Sequence, residues 1–88
     1  MINNVCFSDE NPFKEISENS VHTMITVNCY AMTLLTKLVI EKFKKRNEKL
    51  KKHSLIINSC AGASIAPIPY VQMYSATKIF CQYMTEGL

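Results

Sequence analysis

The segment from Tyr74 to Lys78 carries the residue types and the spacing best suited to chemistry in this chain. Tyr74 and Lys78 are four residues apart, so on a helix the phenol and the ammonium face the same way. An ammonium beside a phenol lowers the pKa of that phenol and makes the pair a proton donor for a carbonyl being reduced. The alternative is an exposed tyrosine and lysine on an amphipathic helix, and the rest of the chain must decide between them.

Four predicted elements position this pair, in the order strand, long helix, strand, helix. The first strand ends within residues 1–6, and apolar residues at three- and four-residue steps predict one amphipathic helix over residues 21–46. The apolar run Leu55-Ile56-Ile57 is typical of a strand covered on both faces, and a second helix begins near Val71 and continues to the end. This alternation predicts an α/β protein with a parallel sheet.

Two further features stand out between these elements. Asn28 lies in the middle of the long helix, where asparagine is a poor helix former, so it is either merely exposed or has a specific role. The second strand is followed by a turn of small residues, 58–64, and then by Pro67 and Pro69, which exclude regular helix or central strand.

Composition limits the classes of protein that fit. The 88 residues make at most one small domain, and 48% hydrophobic residues predict a packed core. The net charge of +3 comes mostly from a basic run over residues 42–52, which is best explained as a solvated helix end and not as a nucleic-acid site. No apolar stretch approaches the ~20 residues of a membrane span, so the chain is expected to be soluble.

The four cysteines, Cys6, Cys29, Cys60 and Cys81, are widely and irregularly spaced. They form no Cys-x-x-Cys pair, and only two histidines are available as extra ligands, so we expect no metal site. Buried free thiols in a reducing compartment are the expected state of these cysteines.

Taken together, these motifs resemble the short-chain dehydrogenase/reductase family over nearly all 88 residues. The resemblance rests on Asn3-Asn4-Val5 after a strand, Asn28 in the long helix, the small-residue turn after Ile57, and Tyr74 to Lys78. Several shorter stretches look most like the branch of 17β-hydroxysteroid dehydrogenases and very-long-chain 3-oxoacyl-CoA reductases. These are Ile2 to Val5, Met32-Thr33, Asn58, Pro67-Ile68-Pro69 and Met73 to Phe80.

The resemblance implies a Rossmann-like doubly wound parallel sheet, of which these residues are the central-to-C-terminal βαβα part. It also implies an NADP(H)-dependent oxidoreductase acting on a ketone or alcohol of a steroid or fatty-acyl substrate. Tyr74 is implied as the proton donor, Lys78 as the residue that lowers its pKa and contacts the nicotinamide ribose, and Asn28 as the holder of a water linked to Lys78. Asn3 and Asn4 are implied to brace the strand end and the adenosine side of the cofactor pocket.

The chain departs from the family pattern at two positions. An ungapped match from Pro67 and Pro69 backward puts Ala61 where the family has a serine that holds the substrate oxygen. We favour that register, and the alternative register offers Ser59. Loss of such a donor costs ~10²–10³ in rate, so weak or absent activity is an expectation. Cys6 stands where the family motif continues with glycine, so its Cβ lies where backbone is expected to pass close.

Only two glycines occur, so the chain contains no glycine-rich phosphate-binding turn. We therefore expect residues 1–88 to be a partial domain that lacks the N-terminal cofactor-binding half and the C-terminal substrate lid, and that does not bind NADPH alone. The alternative function is a non-catalytic interaction module, a homodimer through the helices 21–46 and 71–88. The resemblance implies the endoplasmic reticulum for a full-length form, whereas this chain itself is expected to be cytoplasmic.

Overall fold

The structure, a computed structural model, describes residues 1–88. Two short strands, β1 (Ile2–Asn3) and β2 (Ile57–Asn58), pair in parallel, with Ile2 opposite Ile57 and Asn3 opposite Asn58. A long helical segment connects them, and a further helix over Gln72–Glu86 follows β2. The predicted βαβα order and the parallel pairing are confirmed. β2 includes only Ile57 of the predicted run 55–57, and the prediction that this run is covered on both faces is wrong, because Leu55 is 67% exposed and Ile57 45% exposed.

The long helix runs from Glu18 to Leu50 in three parts: α1 (Glu18–Ile25), a π-helical turn (Thr26–Ala31) and α2 (Met32–Leu50). Ser17 is its N-cap, since the Ser17 hydroxyl accepts a hydrogen bond from the Ser20 amide. The helix therefore begins about one turn before the predicted start at residue 21. It ends at Lys51, whose φ of 53° is left-handed. At 1.5 Å per residue it spans about 50 Å, which accounts for the 52 Å longest dimension of the molecule.

The last helix, α3 (Gln72–Glu86), agrees with the prediction to within two residues at each end. Short 3₁₀ turns over Phe13–Glu15 and Gly62–Ser64 lie in the two loops that lead away from the strands. α3 packs against α1, the π-helical turn and β2, so the residues on its inner face meet both connecting loops.

The core is small and mostly polar, so it falls short of the packed core that the composition predicts. Nine of the 88 residues are buried, and only Met24, Met32 and Cys81 among them are apolar. The buried polar residues are Asn28, Thr36, Ser64, Ser75, Thr77 and Lys78. Large apolar side chains such as Leu38 and Tyr83 stay exposed, so two strands and the helices packed on them do not bury the remaining apolar surface.

The long helix is also apolar and long enough, by length and composition, to cross a membrane, a test that core helices of soluble proteins pass as well. No uninterrupted apolar run within it approaches 20 residues, as expected, but the helix as a whole is apolar enough to meet this criterion. The physical reason is that residues 23–40 contain one charged residue, Lys37, while the lysines cluster beyond them. Within this helix, Asn28 and Thr36 are buried and hydrogen-bonded to other parts of the chain.

Candidate active site at the strand ends

The predicted site residues come together where the two parallel strands end. The chain leaves β1 through Asn4 and Cys6 and leaves β2 through Ser59, and the first turn of α3 carries Tyr74 beside these loops. Ligands of open parallel α/β sheets bind outside the carboxyl ends of the strands. The location therefore favours a binding or catalytic site.

Lys78 is buried, with 5% of its side chain exposed. Its Nζ donates a hydrogen bond to the Ser59 carbonyl oxygen at 3.0 Å and lies 5.6 Å from the centre of the Tyr74 ring. Lysine is almost never fully buried unless it is paired, and one carbonyl satisfies only one of its three N–H groups. Lys78 thus keeps two N–H groups for a ligand at the strand ends.

Tyr74 lies on the same face of α3 as Lys78, as the spacing predicts, but the pKa of its phenol is not lowered. Burial raises that pKa above its ordinary value, and the hydrogen bond with Cys6 and the charge of Cys6 act in the same direction. The Tyr74 hydroxyl lies 3.9 Å from Cys6 Sγ, while Lys78 Nζ sits over the ring and donates to Ser59. The predicted acidification is therefore wrong, because burial and the contact with Cys6 both raise the pKa of the phenol.

Asn28 is buried and ties the loop after β1 to α3, which decides between the two roles predicted for it. Its Oδ1 accepts from Phe7 N–H at 2.8 Å, and its Nδ2 donates to Phe7 O at 2.8 Å and to Thr77 Oγ1 at 2.9 Å. Thr77 in turn donates to the Tyr74 carbonyl at 2.7 Å. Asn28 thus positions the turn of helix that carries Tyr74, and its role in holding a water stays a prediction.

The side chains of Asn3 and Asn58 form a second polar chain across the sheet. Asn3 Nδ2 donates to Asn58 Oδ1 at 2.7 Å and to Thr36 Oγ1 at 3.4 Å, and Asn58 Nδ2 donates to Thr85 Oγ1 at 2.8 Å. Asn3 therefore braces the strand end, joining both strands to the long helix and to α3. Asn4 is exposed and makes no side-chain hydrogen bond within the chain, so its amide is free for a ligand.

The backbone of Ser59 links the end of β1 to Lys78. Its N–H donates to the Asn3 carbonyl at 2.9 Å, and its own carbonyl accepts from Lys78. Ala61 lies two residues further on, where its carbonyl accepts from the Ser64 hydroxyl at 2.7 Å. The structure brings Ser59 to the cluster by its backbone, and the choice between Ser59 and Ala61 for the family's serine stays open.

Cys6 is exposed, as is Cys60, so these two are not the buried thiols expected from the sequence. The sequence reasoning missed that the Cys6 thiol lies against the Tyr74 hydroxyl, and it missed Thr77 and Thr36 as partners of the two asparagines. Their signal in the sequence is slight, since small hydroxyl side chains on helices are common. The one indication in the sequence is Asn28 itself, a poor helix former in the middle of a helix, for which a specific role was one of two alternatives.

A phenol and a buried ammonium thus lie together at the carboxyl ends of two parallel strands, where open parallel α/β folds bind their ligands. The family model of the short chain dehydrogenases matches residues 1–88. The chain therefore belongs to the short-chain dehydrogenase family, which confirms the resemblance drawn from its motifs.

Curated relatives and solved structures agree with this assignment. The chain is 36% identical over 87 residues to dehydrogenase/reductase SDR family member 11 of Gallus gallus, and it covers 34% of that protein. It is 32% identical over 92 residues to very-long-chain 3-oxoacyl-CoA reductase-A of Danio rerio, covering 27% of it. In both cases nearly all of this chain is matched, so it spans about a third or less of these relatives' length.

Among solved structures, a short-chain dehydrogenase from Sphingobium yanoikuyae in complex with NADPH superposes with a TM-score of 0.88 at 26% identity. The superposition covers 99% of this chain and 32% of that one. The predicted Rossmann-like fold is thus confirmed, and this chain corresponds to about a third of such a domain.

Proposed function

We propose that this chain supplies the proton-donating part of an NADP(H)-dependent oxidoreductase that interconverts a ketone and an alcohol on a steroid or fatty-acyl substrate. One observation carries the proposal: Lys78 Nζ joins the Tyr74 ring and the Ser59 carbonyl at the strand ends. The names of the relatives, which include very-long-chain 3-oxoacyl-CoA reductases, support the fatty-acyl class of substrate.

In the reduction direction Tyr74 gives its hydroxyl proton to the carbonyl oxygen of the substrate. The raised pKa means that the phenol enters the reaction protonated, as a donor must. Lys78 then stabilises the phenolate through its ammonium charge, since its Nζ lies 5.6 Å from the centre of the Tyr74 ring. Bound NADPH would supply the hydride, and the protein contributes positioning and charge.

The residues present fit one half of a dinucleotide. Lys78 has two N–H groups left for ribose hydroxyls, and the exposed Asn4 amide provides a donor and an acceptor at the end of β1. Residues 1–88 contain no glycine-rich turn for the pyrophosphate, because Gly62 and Gly87 are the only glycines. We therefore predict that this polypeptide alone does not bind NADPH tightly, which isothermal titration calorimetry tests directly.

For the substrate oxygen we propose Ser59 as the second hydrogen-bond donor. Support comes from its backbone contact with Lys78, which places its Cα next to the cluster, while the methyl group of Ala61 has no proton to donate. A location at the endoplasmic reticulum for a longer form stays a prediction from the resemblance.

A graft tests the proposed function. Residues 1–88 replace the matching third of the Sphingobium yanoikuyae dehydrogenase, and a smaller graft carries only residues 55–88 in case the larger one fails to fold. We expect NADPH-dependent ketone reduction, with a loss of ~10²–10⁴ in kcat for Tyr74→Phe and unchanged NADPH affinity. Tyr83→Phe, an exposed tyrosine on the same helix, is the matched control. A folded graft that binds NADPH and reduces no ketone contradicts the proposal.

A second candidate function is a homodimer through the helices 21–46 and 71–88, favoured by the apolar residues that these helices expose. Leu34, Leu35 and Leu38 on the long helix and Phe80 and Tyr83 on α3 are each at least 39% exposed. Such a surface on a soluble chain favours association with a second copy. Light scattering after size exclusion is expected to give a dimer that Leu38→Glu dissociates, whereas Ile65→Glu, outside both helices, leaves it intact. A monomeric wild-type protein would contradict this second candidate function.

A further inference from the structure

Cys60 and Cys81 lie with their sulfur atoms 3.7 Å apart, across the junction between the loop after β2 and α3. Cys60 is exposed and directly follows Ser59, whereas Cys81 is buried and lies one helical turn beyond Lys78. Both are free thiols in this structure. The proposed function uses neither of them, and nothing in the sequence spacing indicated that they meet.

We infer that Cys60 and Cys81 form a reversible intramolecular disulfide, with Cys60 as the thiol that reacts first and Cys81 as the thiol that resolves. The inference does not depend on the proposed function. A disulfide needs its sulfurs to move from 3.7 Å to about 2.05 Å, a shift that rotation about the Cys60 side chain in an exposed loop can provide. The pair has the arrangement of a redox sensor, an accessible cysteine beside a resolving one.

The reaction with a small-molecule disulfide such as glutathione disulfide balances in two steps. The Cys60 thiolate attacks one sulfur of glutathione disulfide, so the bond between its sulfurs breaks, a Cys60–glutathione bond forms and one glutathione leaves. Cys81 then attacks the Cys60 sulfur, giving up its proton as the bond forms, and expels the second glutathione. Two cysteine thiols are oxidised, one disulfide is reduced to two thiols, and the two protons pass to the released glutathione molecules.

Burial supports this order of events. It raises the pKa of the Cys81 thiol to about 11, with a hydrogen bond to and the charge of Cys60 acting in the same direction and the Lys78 ammonium acting against it. Cys81 therefore stays protonated and unreactive toward solutes at neutral pH, while the exposed Cys60 meets them first. Attack by Cys81 is then confined to a sulfur already held beside it.

The new bond would lie beside the candidate active site. It would link the residue after Ser59 to the turn of α3 that follows Lys78, closing a loop of residues 60 to 81 that contains Tyr74. The disulfide would then hold the backbone next to both partners of the hydrogen bond between Lys78 Nζ and the Ser59 carbonyl, which are 3.0 Å apart. Oxidation is thereby expected to rigidify the loop over residues 59–64.

The test exposes the 88-residue protein to glutathione disulfide, blocks the remaining thiols with an alkylating reagent and measures the intact mass. We expect two of the four thiols to disappear without bound glutathione. Trypsin cuts after Lys52 and Lys78, so peptides 53–78 and 79–88 are expected to stay linked until they are reduced. Amide hydrogen exchange is expected to slow at residues 59–64 and to stay unchanged in α1.

Variants assign the two roles. Cys81→Ser is expected to trap one glutathione on Cys60, Cys60→Ser to abolish the reaction, and Cys29→Ser to leave it unchanged. If Cys81→Ser fails to fold, the exposed Cys60→Ser variant still decides the outcome. A lasting Cys60–glutathione adduct in the wild type, four alkylated thiols, or a disulfide between any other pair would overturn the inference.

Discussion

The Asn28 side chain holds both polar groups of the Phe7 backbone, accepting from its N–H and donating to its carbonyl, each at 2.8 Å. Its second N–H reaches Thr77 at 2.9 Å, so one amide joins the exit of β1 to the helix that carries Tyr74. Only an amide offers a donor and an acceptor in this geometry. A π-helical turn at residues 26–31 surrounds it, and such turns are frequent at functional sites.

Asn28→Ala is expected to lower the free energy of unfolding by about 2–4 kcal/mol, because it leaves the N–H and the carbonyl of Phe7 without their side-chain partner and removes the hydrogen bond that Thr77 Oγ1 accepts. Urea denaturation followed by circular dichroism measures the change. The matched control is Asn19→Ala, an exposed asparagine of α1, which is expected to stay within about 0.5 kcal/mol of wild type. If the two variants are equally stable, the hydrogen bonds of Asn28 do not have the stabilising role argued here.

The neighbours Asn3 and Asn4 provide a matched pair. Asn3→Ala removes the hydrogen bonds to Asn58 and Thr36 and is expected to cost about 1–2 kcal/mol of the free energy of unfolding. Asn4→Ala removes no hydrogen bond within the chain and is expected to leave stability unchanged. In the grafted dehydrogenase the order reverses if Asn4 contacts the cofactor, with a weaker affinity for NADPH as the readout. A loss of stability for Asn4→Ala would show that this division of roles is wrong.

Lys78→Met separates stability from function. It removes a buried charge, whose burial is costly, and also the partner of the Ser59 carbonyl, so the two effects oppose each other. We expect the free energy of unfolding to stay within about 1 kcal/mol of wild type. In the grafted dehydrogenase kcat is expected to fall by ~10²–10⁴. Lys37→Met, an exposed lysine of the long helix, is the control for both measurements, and full turnover by Lys78→Met would remove Lys78 from the mechanism.

Stability is expected to fall at alkaline pH. The pKa of the Cys81 thiol is raised from 9.0 to about 11, mainly by burial, so unfolding releases a proton between these values. This contribution is fully present below pH 9.0 and is lost as the pH rises through about 11, and the raised pKa of Tyr74 acts with the same sign. Denaturation at a series of pH values is expected to show a shallower alkaline decline for Cys81→Ala. Parallel curves for the two proteins would refute the assignment.

Tyr70 has a left-handed backbone, with φ of 66°, and its side chain is 59% exposed. This conformation costs an L-residue about 1–2 kcal/mol, whereas glycine adopts it freely at an entropic cost of roughly 0.4–1 kcal/mol. Tyr70→Gly is therefore expected to raise the free energy of unfolding by about 0.5–1 kcal/mol. Ile68→Gly, in the same loop but without a positive φ, is expected to lower it. A loss of stability at position 70 contradicts this account.

The features that were predictable from the sequence are the local ones. The apolar steps of the long helix and the short run at residues 55–57 predicted the order of elements, because periodicity depends on neighbours within a few residues. The helix ends were placed three to four residues short, since the Ser17 cap and the left-handed Lys51 contribute no apolar signal. The π-helical turn was missed because no residue type marks it.

The contacts that make up the site join residues far apart in the chain, so the local sequence pattern does not predict them. Spacing alone put Tyr74 and Lys78 on one face of α3, since a helical turn has the same geometry wherever it forms. The partners of those two side chains, Cys6 at 68 residues' separation and Ser59 at 19, follow from how the strand ends and α3 are packed. In that packing, burial and the contact with the Cys6 thiol raise the pKa of Tyr74, which is opposite to the expected direction. A pKa depends on burial and on neighbouring charges in space, so it emerges only once distant segments of the chain meet.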